Sequence, residues 1–171
     1  MSWAVWLTGR PAAGKTTLAR ALKELATARG TPLVHLESDC LRRILTPQAT
    51  YEPAERDRFY EIVADIAALL TSQGFPVIVD ATAPRRSHRD RARHRIPRFL
   101  EVLVDTPLEV CERRDPKGLY AASRRGQAPH LPGAGDTYEE PDRPDLVVSG
   151  AASPDEAVGA LWQLLHVRGF L

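Results

Sequence analysis

Trp3-Ala4-Val5-Trp6-Leu7-Thr8-Gly9-Arg10-Pro11-Ala12-Ala13-Gly14-Lys15-Thr16 decides the fold. Its apolar half reads as a strand buried on both faces, and it opens at once into Gly9-Arg10-Pro11-Ala12-Ala13-Gly14-Lys15-Thr16. That octet fills the pattern G-x-x-x-x-G-K-[ST]. The glycines let the backbone curl so that successive N–H groups point inward, a cradle for the β- and γ-phosphates of a nucleoside triphosphate. Lys15 adds a point charge and Thr16 a hydroxyl for Mg2+. Thr17-Leu18-Ala19-Arg20-Ala21-Leu22-Lys23-Glu24-Leu25 continues with apolar residues at helical spacing, so a helix aims its positive end at the same point. Residues Gly9, Arg10, Pro11, Ala12, Ala13, Gly14, Lys15, Thr16 and Thr17 are therefore the candidate nucleotide-binding group.

Outward from this stretch the alternation repeats. Apolar runs at residues 3–8, 33–36, 77–80, 99–104 and 146–149 are short enough for buried strands. Helical patterns lie between them at about residues 15–29, 39–45, 53–73, 86–95, 108–114 and 154–167, with Gly30 and Gly74 just past two of the ends. The alternation predicts an α/β fold in which a central five-stranded parallel sheet carries helices on both faces and gathers ligands at the carboxyl ends of its strands. Gly9 and Asp80 would sit there. Residues 126–144, rich in Gly and Pro, are too long for an ordinary connection and read as a functional flap; a disordered surface loop is the plainer alternative.

Composition narrows the class. A chain of 171 residues makes one domain spanning 1–171, able to bury about two thirds of its unfolded surface without metals or disulfides. Twenty-three Lys and Arg against 22 Asp and Glu give a net charge of +1, so no global field favours nucleic acid or an anionic membrane. Cys40 and Cys111, outside any C-x-x-C pattern, suit a reduced compartment. No apolar stretch reaches membrane-spanning length and no leader pattern opens the chain, so the expected location is cytoplasmic.

Asp39 closes Glu37-Ser38-Asp39 after the second apolar run, and Asp80 closes Val77-Ile78-Val79-Asp80. Phosphoryl transfer needs one carboxylate for Mg2+ or its waters and another acceptor group to orient or deprotonate the attacking hydroxyl. Lys15, Asp39 and Asp80 are the catalytic candidates, and Thr16, Asp39 and Asp80 the metal candidates, although either aspartate could instead cap the next helix. Arg42, Arg43, Arg56 and Arg58 suggest a basic rim suited to phosphate or sulfate, or else a solvated helix face. The run from Arg85 to Arg98 holds seven arginines and two histidines. They encircle the helix, as in a solvated helix with one or two inward arginines, rather than forming a polynucleotide stripe; His88 and His94 read as surface residues. Leu161-Trp162-Leu164-Leu165 is either plain core or the face of a homodimer.

Val104-Asp105-Thr106-Pro107-Leu108-Glu109-Val110-Cys111-Glu112-Arg113-Arg114-Asp115-Pro116-Lys117-Gly118-Leu119-Tyr120 closely resembles the adenylylsulfate kinase family, and so does the opening from Trp6 to Ala19. The resemblance implies a P-loop kinase fold with MgATP as donor, and a mobile lid over about residues 115–140. It places Arg114 and Asp115 at the ATP base and Lys117 at the start of the lid. Asp39 matches the second aspartate of the family's Asp-Gly-Asp-Asn element, Glu37 the first, and Arg42 its arginine. Arg56 matches the arginine that holds adenylyl sulfate, and Tyr51 keeps one stacking aromatic. The departures fall on the acceptor side: Phe59 for an asparagine, Leu131 for a phenylalanine, Thr82 for an isoleucine-like residue and Pro129 for a lysine. Asp80 replaces a small polar residue and resembles the Walker B acid of other P-loop kinases.

These readings predict a small-molecule kinase moving the γ-phosphoryl of MgATP to a hydroxyl, first candidate the 3′-hydroxyl of adenylyl sulfate. Asp39, Arg42, Tyr51, Arg56, Phe59, Lys117 and Leu131 are the expected acceptor-side residues. The altered positions keep a second reading open, a same-fold kinase for another small anionic acceptor such as a nucleotide or sugar phosphate. A non-catalytic nucleotide switch and a polynucleotide 5′-end kinase are the remaining alternatives.

Overall fold

A computed structural model describes residues 2–171 of the chain. Its strands are β1 (Ala4–Thr8), β2 (Val34–Glu37), β3 (Val77–Asp80), β4 (Phe99–Asp105) and β5 (Leu146–Ser149). Its helices are α1 (Lys15–Ala28), α2 (Ser38–Leu45), α3 (Pro53–Ser72), α4 (Arg86–Arg95), α5 (Leu108–Arg114), α6 (Leu119–Arg124) and α7 (Pro154–Val167). The five strands form one parallel sheet in the order β2-β3-β1-β4-β5.

Alternation along β1 divides the core. Val5 and Leu7 pack with α1 and α7, whereas Ala4 and Trp6 pack with residues of α3 and α4. Trp6 is wholly buried, and its indole Nε1–H donates to Ala81 O at 3.2 Å. The connection leaving β1 crosses one face to reach β2, and the connection leaving β3 crosses the other to reach β4. A crevice therefore opens between the carboxyl ends of β1 and β3, where such sheets bind ligands.

Most predicted elements stand within a residue of their expected bounds. One was not anticipated: α6 is only six residues long, and its Tyr120 and Ala121 N–H groups donate to the Asp115 carboxylate, so a side chain before the helix organises it. Residues 126–144 contain no helix or named strand but are ordered by turns, with Leu131 O accepting the N–H groups of Ala134, Gly135 and Asp136. His88 corrects the surface expectation: it is 6% exposed, stacks on Tyr60 and bonds to Asp57. Burial holds its imidazole below the ordinary histidine range against the opposing pull of Asp57. Of the Leu161-Trp162-Leu164-Leu165 face, α7 lays Leu161, Trp162 and Leu165 into the core against α1 and the sheet, and Leu164 packs partly buried beside them.

Candidate active site

The loop from Gly9 to Gly14 is held from outside. Tyr120 Oη–H donates to Pro11 O at 2.9 Å, Arg114 Nη1 to Ala12 O at 3.5 Å, and Thr106 Oγ1–H to Ala13 O at 2.8 Å. Three consecutive loop carbonyls are thus held by side chains of other segments, while Ala13 N–H closes a turn onto Arg10 O at 3.1 Å. Close approach demands glycine at two points. A Cβ on Gly9 would lie 2.5 Å from Val104 O, and one on Gly150, just past β5, would lie 1.9 Å from Ala13 O. Thr106, Tyr120 and Gly150 were not expected as site residues; Thr106 and Tyr120 lie in the stretch that carried the resemblance, but their partners are about 100 residues away.

Lys15, in the first turn of α1, sends Nζ to Gly9 O and Arg10 O, each at 2.9 Å. Burial lowers its ammonium from 10.5 to about 8, with Asp80 nearby opposing the shift. The Arg10 side chain pairs with Glu140 at 3.1 Å and lies over the Tyr138 ring.

A cleft of about 880 Å³ runs from this loop to the 126–144 segment. Lining it are Pro11, Ala12, Ala13, Gly14, Lys15, Thr16, Thr17, Asp39, Arg42, Tyr51, Arg56, Asp80, Thr82, Arg114, Lys117, Pro129 and Leu131, so one wall set brings together most of the residues picked from the sequence. Asp39 belongs to the first turn of α2 rather than to the strand end, and its carboxylate pairs with Lys117 Nζ. Arg42 pairs with Glu55 at 3.3 Å, and its guanidinium lies 3.9 Å from the Phe59 ring centroid and 4.8 Å from that of Tyr51. Thr50 and Tyr51 N–H groups hold the Glu55 carboxyl below its ordinary range. Arg56 donates to Asp136 Oδ2 at 3.0 Å and to His130 O at 2.6 Å, tying α3 to the flap.

Phe59 is the correction among the acceptor candidates. It is fully buried and absent from the cleft wall, standing behind Arg42 as the platform on which the guanidinium rests. Asp80 lies 3% exposed at the end of β3, and its Oδ2 has no hydrogen-bond partner. Among the described residues no cluster of three His, Cys, Asp or Glu side chains forms. The donor set, one hydroxyl and one free carboxylate beside a phosphate cradle, fits a hard cation that shares its ligands with water and phosphate.

The profile of the family described as adenylylsulphate kinase matches residues 1–149. The adenylyl-sulfate kinase of Synechococcus sp. (strain JA-3-3Ab) is 39% identical over 168 residues, which cover 98% of this chain and 96% of that protein. The chain belongs to the adenylylsulfate kinase family. The adenylyl-sulfate kinase of Paraburkholderia xenovorans (strain LB400) is 42% identical over 167 residues, covering 96% of this chain and 93% of the relative. The structure of the Mycobacterium tuberculosis APS kinase in complex with AMPPNP and APS superposes with a TM-score of 0.91 at 35% identity, covering 96% of this chain and 98% of that one. Adenylylsulfate kinase family membership makes the chain a phosphotransferase of the P-loop kinase fold. The departures from that family sort by position. Thr82, Pro129 and Leu131 line the cleft, whereas Phe59 lies under the Arg42 guanidinium and is absent from the wall.

Proposed function

We propose that this chain transfers the γ-phosphoryl of ATP to the 3′-hydroxyl of adenylyl sulfate, yielding ADP and the 3′-phosphorylated product. The observation that carries the reading is the single cleft with the Lys15 loop at one end and Asp39, Arg42 and Arg56 beyond it. The bond from the γ-phosphorus to the β,γ-bridging oxygen breaks, a bond from the acceptor oxygen to that phosphorus forms, and the hydroxyl proton leaves. Lys15 neutralises charge on the β- and γ-oxygens, and Asp39 orients the hydroxyl or takes its proton once the acceptor draws it from Lys117. Arg42 and Arg56 grip the acceptor's anionic group; for Arg56 this means exchanging the Asp136 carboxylate for the incoming anion. Arg114 holds the outer edge of the donor site, and the flap with Leu131 and Lys117 excludes water that would otherwise hydrolyse ATP.

Thr16, and Asp80 through a water, would hold Mg2+, which would neutralise charge on the nucleotide's phosphates. A cytoplasmic location agrees with two free cysteines and with the absence, among the described residues, of any helix long and apolar enough to cross a membrane.

The test is product analysis by mass spectrometry after incubation with MgATP and a panel of adenylyl sulfate, other nucleotides and sugar phosphates. Adenylyl sulfate gains one phosphoryl group for each ADP formed, and Asp39→Ala lowers that turnover by about 10²-fold or more. Phosphorylation of another acceptor with adenylyl sulfate untouched overturns the assignment.

A further inference from the structure

Beside the phosphate loop lies a buried pair that none of the roles above uses fully. In the sheet His35 of β2 stands opposite Ile78 and Glu37 opposite Asp80. His35, Ile78 and Asp80 therefore project from the same face, the one on which Ile78 packs with α1. His35 Nε2 is 3.7 Å from Asp80 Oδ2, with the two side chains 9% and 4% exposed. Both atoms are buried, and neither has a hydrogen-bond partner.

A buried polar atom without a partner is rare enough to need a cause. The separation is too long for a good hydrogen bond and too short to admit a bridging water, so a small rotation of either side chain would join the two atoms. The tautomer follows from the carboxylate: with the hydrogen on Nε2 the ring donates to Oδ2, whereas the other tautomer would set a lone pair against lone pairs. Asp80 and Lys15 both line the cleft, and the Asp80 carboxylate favours the charged form of the lysine. Left alone, the carboxylate would turn toward that ammonium, and both groups would be withdrawn from the phosphates.

We infer that His35 is a positioning residue for Asp80: its Nε2–H holds one carboxylate oxygen back from Lys15, so that the carboxylate stays available to a Mg2+-bound water. A hydrogen bond behind a metal-facing carboxylate fixes its orientation in the way outer-shell partners do at other metal sites. The inference rests on the reading that a metal–nucleotide complex occupies the cleft.

The experiment measures Mn2+ binding to the protein saturated with ADP, by loss of the free-ion electron paramagnetic resonance signal, beside ADP affinity in EDTA. His35→Leu weakens Mn2+ about tenfold and leaves ADP affinity in EDTA unchanged. His35→Gln, whose amide nitrogen reaches nearly as far as Nε2, keeps the wild-type value. Should the leucine variant fail to fold, His35→Asn, polar but one methylene shorter than Gln, carries the same expected loss. In an Asp80→Asn background the His35 substitution adds nothing further. Unchanged Mn2+ affinity in His35→Leu, or an equal loss of ADP affinity in EDTA, overturns the positioning role. Wild-type protein whose ADP complex takes no Mn2+ overturns the metal–nucleotide reading itself, a different result from wild-type binding that the variants leave intact.

Discussion

Lys15 in the free cleft gives up its proton more readily than an ordinary lysine, since burial brings its ammonium to about 8. A triphosphate or diphosphate tail beside Nζ favours the charged form and raises that value, so nucleotide binding near pH 9 takes a proton from the buffer. Calorimetry of ADP binding in two buffers of different ionisation heat reads the uptake directly. It is expected near pH 9 and absent near pH 6.5, where Lys15 is already protonated in both states; proton release or no exchange at pH 9 would sink the assignment. For the free chain the sign runs the other way from a stabilised lysine. Between about pH 8 and the unfolded value of 10.5 the unfolded chain holds more protons, so stability gains as pH rises through that window. Lys15 was legible because its chemistry travels with a short pattern. Phe59 and His88 were not, because nothing local says that a phenylalanine sits behind Arg42 or that a histidine in an arginine-rich helix is covered by Tyr60.

At the scale of elements, the approach of β5 to the phosphate loop is what the site can least change. A Cβ on Gly150 would meet Ala13 O at 1.9 Å, Thr106 Oγ1 at 2.2 Å and Val104 Cγ1 at 2.9 Å. Two of these are backbone or core, so the loop itself must move. Gly150→Ala is expected to lower kcat by about a hundredfold, since a shift near 1 Å in a positioned group is enough for that, and to lower the melting temperature. Gly159 in α7 is the internal control, with nothing within 4 Å of an added Cβ. Gly159→Ala leaves kcat unchanged and stabilises the chain by about 0.5–1 kcal/mol through helix propensity, measured by chemical denaturation. Equal behaviour of the two variants would remove the steric argument. The strands and long helices were readable from their periods, whereas α6 was not: its six residues offer too short a pattern, and the carboxylate of Asp115 that organises it acts through geometry rather than composition.

Across the whole molecule the arginines of α4 and its N-cap Arg85 are neutralised one by one. Asp57, Glu61 and Asp65, spaced four apart along α3, pair with Arg85, Arg91 and Arg95, while Arg93 reaches Glu101 and Asp145. A helix whose cations are matched by its neighbour presents no stripe for a polynucleotide. Arg89 goes further inward, fully buried, with Nε donating to Glu101 Oε1 at 2.6 Å and Nη2 to Glu139 O at 2.6 Å. It thereby joins α4, β4 and the end of the flap. Removing one partner of such a pair strands a charge out of water, and removing both does not. Glu101→Leu is therefore expected to cost about 3–5 kcal/mol in urea unfolding, because Arg89 keeps only carbonyl partners. The double variant with Arg89→Leu costs less than the sum of the two singles, by about 1 kcal/mol or more, since the stranded cation occurs only in the Glu101 single. Strict additivity would mean that the carbonyls alone satisfy Arg89, and that Glu101 serves Arg93 rather than the junction beneath the flap.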